Sequence, residues 1–135
     1  QVTVSFYCAL HLINAHIVQK TTKNYLSHSQ VSHAINPFNP LSVSKVDEET
    51  YLSYTKLFQL SRRARYLLNE NFDNTSAVDI QPACVTYSKH FKKTVHHLNK
   101  IMDFMTTQHG TSFVKRSLKC IDLNNQTFTY FTIIQ

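Results

Sequence analysis

Apolar residues recur at threes and fours from the first positions of the chain. Val2, Phe6, Leu10, Ile13 and Ile17 fall on one side of a helix over residues 2–20, and Ala9 and Leu12 widen that stripe. No capping residue precedes it, so the helix is expected to begin before Gln1. Ser27 or Ser29 can open a short helix through Ile35. It must stop by Asn36, because Pro37 disfavours helical geometry in the residue before it, and residues 36–40 (NPFNP) read as a rigid loop. Ser44 and Asp47 are alternative caps for the next helix, whose acidic start at Asp47, Glu48 and Glu49 suits the positive end of its dipole. Leu57, Leu60, Ala64, Leu67 and Leu68 then form a core stripe that frays near Asn71, and residues 71–81 form a polar connector. Pro82 suits the first turn of the last long helix. Along it Val85, Phe91, Val95, Leu98, Met102 and Met105 recur at helical spacing, and Gly110 is a natural stop.

Beyond Gly110 the period changes. Leu118–Leu123 and Thr127–Ile134 read as two strands about an Asn124-Asn125 turn, a β-hairpin. Phe128, Tyr130, Thr132 and Ile134 share one face, with Thr129, Phe131 and Ile133 on the other. Both faces are apolar, and an isolated hairpin is only marginally stable. This extension, residues 111–135, is therefore expected to pack on the helices or on a second subunit. The fold class is mainly α with a C-terminal β-hairpin.

Composition narrows the chemistry. The 135 residues suit one domain, and the single glycine stands where average usage predicts roughly nine. That excludes the glycine-spaced phosphate cradles and the nucleophile elbow. Fourteen Lys+Arg against eight Asp+Glu give a net charge of +6, which favours acidic partners, nucleic acid above all. Eight histidines are expected to strengthen polyanion binding in mild acid. Cys8, Cys84 and Cys120 are odd in number and lack a CxxC spacing, which fits a reducing, cytoplasmic setting. No run of 18 to 20 apolar residues is evident, so no membrane contact is expected.

Several candidate chemistries are weak on spacing alone. No histidine pair falls at i, i+3 or i, i+4; His90 and His97 stand two turns apart, and no metal or other cofactor is expected. Cys8 and Cys84 read as small buried hydrophobes. The strongest cluster is Ser61-Arg62-Arg63-Ala64-Arg65-Tyr66. Arg62 with Arg65, and Arg62 with Tyr66, are neighbours on one helix surface, with Tyr51 and Phe58 upstream on a similar face. Guanidinium forks beside aromatic rings suit phosphate capture with base stacking, whereas pairing with acidic residues of another helix is the structural alternative. A second basic band, Lys89, Lys92, Lys93, His96 and Lys100, reads as a solvated face.

Two segments together resemble a known family. Ser5-Phe6-Tyr7-Cys8-Ala9-Leu10-His11 running to Ala15, then His28, then Tyr51, Leu57, Ser61 and Ala64-Arg65-Tyr66, are similar to the HEPN domain family. The resemblance spans about residues 1–70. It implies an up-and-down bundle of four to five helices over residues 1–110, often a homodimer, in a family that includes metal-independent ribonucleases, toxins and inert partners of nucleotidyltransferase domains. The nucleolytic branch uses an Arg followed four to six residues later by a His. Arg62, Arg63, Arg65 and Arg116 lack such a His, so no residue is evident to move the proton of an attacking 2′-hydroxyl. The resulting expectation is a non-catalytic binding or dimerisation module with Arg62, Arg65, Tyr66, His11 and His28 at its binding surface. RNA, a nucleotide or a nucleotidyltransferase-type protein is the expected partner. A metal-independent endoribonuclease using His11 or His28, and a purely structural oligomerisation subunit, are the alternatives.

Overall fold

The computed structural model describes residues 1–66, 87–123 and 125–134. Among these residues four α-helices, α1 (Val2–Thr21), α2 (His28–Ile35), α3 (Glu48–Tyr66) and α4 (Tyr87–His109), are followed by two short strands, β1 (Arg116–Lys119) and β2 (Phe131–Ile134). The expected mainly α class and bundle character are both present.

Helices α1, α3 and α4 pack against one another, and α2 closes the side between α1 and α3. The core follows the α1 stripe: Phe6, Ala9, Leu10, Ile13 and Ile17 meet Val31 and Ile35 of α2, Tyr54 and Leu57 of α3, and Leu98 and Ile101 of α4. Burying a large aliphatic or aromatic side chain stabilises by roughly 1.5–3 kcal/mol, so this set dominates the fold. By length and composition α1 suffices to cross a bilayer, at 20 residues and mean hydropathy 1.2, contrary to expectation. A core helix meets the same measure, and one side of α1 is packed on α3 and α4.

Local signals settle the two open cap assignments. Ser27 opens α2 with a reciprocal capping box: its Oγ accepts from Gln30 N–H, and the Gln30 side chain accepts from Ser27 N–H. Asp47 opens α3, its carboxylate accepting from both the backbone N–H and the hydroxyl of Thr50. Ser44 is instead buried, its carbonyl oxygen turned to His16. Gly110 ends α4 at φ 64°, the left-handed conformation in which a missing Cβ removes the steric cost. Ala64 is exposed rather than in the core, while Leu57 is fully buried and Leu60 partly so. Leu67, Leu68, the 71–81 connector, Pro82, Cys84 and Val85 lie outside the described residues.

Two C-terminal strands form, but the first is Arg116–Lys119 rather than Leu118–Leu123, and the second begins at Phe131 rather than Thr127. They run parallel, Arg116 opposite Phe131 and Lys119 opposite Ile134, so the antiparallel hairpin expectation is corrected. Parallel pairing requires the chain to cross over between strands. The connection includes a 3-10 turn at Ile121–Leu123. Packing explains the choice. Leu123 and Phe128 are buried with Val2, Phe91 and Val95, pulling the intended turn region down onto the bundle. Asn99 of α4 then fixes the return: its Oδ1 accepts from the backbone N–H groups of Thr129 and Tyr130, and its Nδ2 donates to Asp103. The Tyr130 hydroxyl meets Thr106 Oγ1 at 2.8 Å.

Candidate functional site

Helix α3 presents its last turns beside the first turns of α1 and α2, and three of the expected site residues converge there. The His28 ring stands at 5.1 Å from Phe6, 5.1 Å from Phe58 and 6.3 Å from Tyr7, centroid to centroid. Phe6 and Phe58 pack at 5.4 Å beneath it. The Arg65 guanidinium lies 6.0 Å from the Tyr7 ring centre, with Nη1 donating to the Tyr7 hydroxyl at 3.4 Å and Nε donating to the Ser61 carbonyl. Arg62 stands 5.8 Å over the Phe58 ring. The result is a cationic and aromatic shelf, two guanidinium groups each against a ring with an imidazole between them.

Helix periodicity builds this shelf. Phe58, Arg62 and Arg65 follow one another at four and three residues, so they share a face of α3. His28 enters because Ser27 caps α2 and thereby fixes the first turn of that short helix. Burial first, and the positive charge of Arg65 second, lower the His28 pKa below the ordinary histidine value. The imidazole is accordingly neutral near pH 7. Its Nδ1 is enclosed and has no hydrogen-bond partner among the described residues.

The other expected site residues are placed differently. His11 is exposed one turn beyond Tyr7 on α1, and its side chain makes no hydrogen bond among the described residues. Tyr66 ends α3, and its side chain lies outside what is described. Tyr51 leaves the shelf altogether and packs edge-on against Phe38 at 6.2 Å. Among the described residues the one ion pair joins Lys100 and Glu49 at 2.7 Å, so the carboxylate partners weighed for Arg62 and Arg63 do not occur there. Cys8 is exposed, not a buried hydrophobe. Lys89, Lys92, Lys93 and His96 are exposed, as a solvated face would be, whereas Lys100 of the same band is partly buried and ion-paired to Glu49. No group of three or more metal-ligating side chains occurs among the described residues.

Sequence reasoning put Tyr66 beside the arginines and missed Tyr7, which comes from another helix. A second histidine site also escaped it. His16 is 1% exposed; its Nε2 lies 3.2 Å from the Ser44 carbonyl and its Nδ1 2.8 Å from His109 Nε2. A carbonyl can only accept, so His16 carries its proton on Nε2, and His109 donates to Nδ1. Phe104 packs edge-on against the His16 ring at 5.0 Å. Burial is the main cause that lowers the His16 pKa, with His109 and Lys20 adding to it against the pull of Ser44. No spacing rule links positions 16 and 109, and only the i, i+7 repeat of α1 core residues marked His16 as inward.

A groove of about 380 Å³ lies elsewhere, lined by Asp47, Glu49 and Thr50 from the start of α3 and by Lys100, Asp103 and Phe104 of α4. The Lys100–Glu49 pair joins its two walls with opposite charges. No family profile, curated protein or solved structure matches the chain.

Proposed function

We propose that this chain is a non-catalytic, HEPN-like binding module whose Arg62–Arg65 shelf takes a ligand carrying both phosphate and base, a nucleotide or single-stranded RNA. One observation carries the reading: Arg65 and Arg62 are each held against an aromatic ring around a neutral, half-buried His28. Guanidinium groups supply bidentate phosphate contacts, Tyr7 is partly exposed for stacking, and the imidazole offers hydrogen bonds to a base edge or ribose. The net charge of +6 draws polyanions toward this surface. The resemblance also keeps a homodimer or a nucleotidyltransferase-type protein among the partners this module would serve. Fluorescence anisotropy with a labelled single-stranded RNA tests the site. The Arg62→Ala/Arg65→Ala double variant is expected to lose at least about tenfold in affinity, since each charge-assisted contact contributes roughly 1.5–3 kcal/mol. Unchanged affinity would remove the site.

A second reading has a specific observation in its favour. His28 lies beside Arg65, and burial favours the unprotonated ring that a base for a 2′-hydroxyl must be. Incubating the protein with RNA in EDTA separates the two readings: cleavage that disappears in His28→Ala would make the module a metal-independent ribonuclease.

A further inference from the structure

Positive charge is unevenly placed along the two longest neighbours in the bundle. From Thr50 to Tyr66 on α3 and from Tyr87 to Met102 on α4 stand eight of the fourteen Lys+Arg and no Asp or Glu. Glu49 and Asp103 lie at the other end of this helix pair, where they line the groove. Lys100 is paired with Glu49, whereas Lys56, Arg63, Lys89 and Lys93 have no carboxylate partner among the described residues.

These cations form two rows. Lys89, Lys93 and His96 repeat at four and three along α4, one stripe of that helix. Lys56 and Arg63 stand seven residues apart on α3, two turns on one side, about 10.5 Å by helix rise. Both rows border the same pair of imidazoles. Burial first, and then Arg63 and Lys93, lower the His90 pKa; burial, then His96, Lys56 and Lys93, bring His97 to about 4. His97 Nδ1 also meets Ser53 Oγ at 3.2 Å, which joins α4 to α3 between the rows. The floor is therefore uncharged near pH 7 and the charge sits on its two borders.

We infer that this α3–α4 face is the track along which the phosphate backbone of a single RNA strand runs once a nucleotide is seated on the Arg62–Arg65 shelf. The choice of RNA rests on the shelf reading, because the shelf supplies the rings for a base, but the phosphate contacts come from different residues. Arg63 follows Arg62 in the chain, so shelf and track adjoin at the last turns of α3. Rows of two turns exceed the reach of one phosphate group, so an oligonucleotide suits them better than a mononucleotide. Lys56, Lys89 and Lys93 offer compact charges on flexible stems, without a ring for stacking, so this face holds backbone and leaves sequence unread.

The test is fluorescence anisotropy with a labelled oligouridylate of about twelve nucleotides, run beside calorimetry with adenosine monophosphate. The variant is Lys56→Gln/Lys89→Gln/Lys93→Gln, whose three positions are exposed, so its helical circular dichroism should match wild type. Each phosphate contact of a single strand contributes about 0.7 to the slope of log affinity against log salt, so the variant's slope should be shallower by about 2. Raising salt from about 50 to 200 mM should then weaken wild type roughly eighteenfold more than the variant. Adenosine monophosphate affinity should be the same in both. An unchanged oligouridylate slope overturns the inference. So does an equal loss for the mononucleotide, which would mean the substitutions act through the shelf. Polyglutamate that displaces the probe as well as unlabelled oligouridylate does would assign the face to an acidic protein and equally overturn it. Normal binding of both probes by Arg62→Ala/Arg65→Ala would remove the shelf and leave the track standing on its own salt slope.

Discussion

His16 and His28 occupy two environments in one small bundle, and they differ in how their ring nitrogens are satisfied. Both have pKa values lowered chiefly by burial. His16 has a partner on each ring nitrogen, one from the 44–47 loop region and one from the end of α4, so it fastens three parts of the chain. His28 has an enclosed Nδ1 with no partner among the described residues, two aromatic rings beneath it and Arg65 alongside. A buried polar atom left unsatisfied costs on the order of 1–3 kcal/mol, which a fold tolerates where something else is gained. Lowered basicity is common to both rings; what differs between them is the accounting of hydrogen bonds.

Replacing each histidine should break the symmetry between them most strongly. His16→Ala leaves His109 and the Ser44 carbonyl without their partner and opens a core cavity, so urea unfolding should show a loss of about 2–4 kcal/mol. Its RNA affinity per folded molecule should stay unchanged. His28→Ala should cost about 1 kcal/mol or less in the same titration yet weaken RNA binding severalfold. Equal stability losses at the two sites would contradict the distinction. Asn99→Ala belongs with His16, since it strips the acceptor from two backbone N–H groups; about 2 kcal/mol should be lost, and the amides of Thr129 and Tyr130 should exchange faster by hydrogen-exchange mass spectrometry.

Acid sharpens the comparison further. His16, His28, His90 and His97 all have lowered pKa values, His97 to about 4 through burial and then the nearby His96, Lys56 and Lys93. A histidine whose folded pKa lies below 6.5 binds protons more readily when the chain is unfolded. Stability is therefore full above pH 6.5 and falls as pH drops from there toward about 4. The melting temperature should decline across that window, and His97→Gln should flatten the decline. The expectation that mild acid strengthens polyanion binding is also limited, because these four histidines resist protonation while the fold persists. The smallest effect concerns the start of α3, away from the Arg62–Arg65 shelf: Asp47→Ala removes the α3 cap and should cost about 1 kcal/mol without altering RNA affinity.

The helices were legible because their signals are local. The α1 stripe, the Ser27 box, the stop at Pro37 and the Gly110 terminus each lie within a few residues of what they specify. The candidate shelf was legible in part. Arg62, Phe58 and Arg65 share a face by helical spacing, but the aromatic partner of Arg65 is Tyr7, 58 residues away, and no periodicity points to it. The strand pair failed for the same reason. Alternation marked the strands, whereas their relative direction is decided by Asn99 and by Leu123 sinking against Phe91, contacts between distant positions. Asn99 had no signature of its own, being one polar residue inside a helical run.

The most direct measurement follows the ring protons of His16 and His28 by NMR as a short single-stranded RNA is added at pH 7. The His28 signals should move in proportion to occupancy while those of His16 stay fixed, and Arg62→Ala/Arg65→Ala should abolish the movement. Saturable RNA binding that leaves His28 unmoved, or that shifts both histidines alike, would contradict the account.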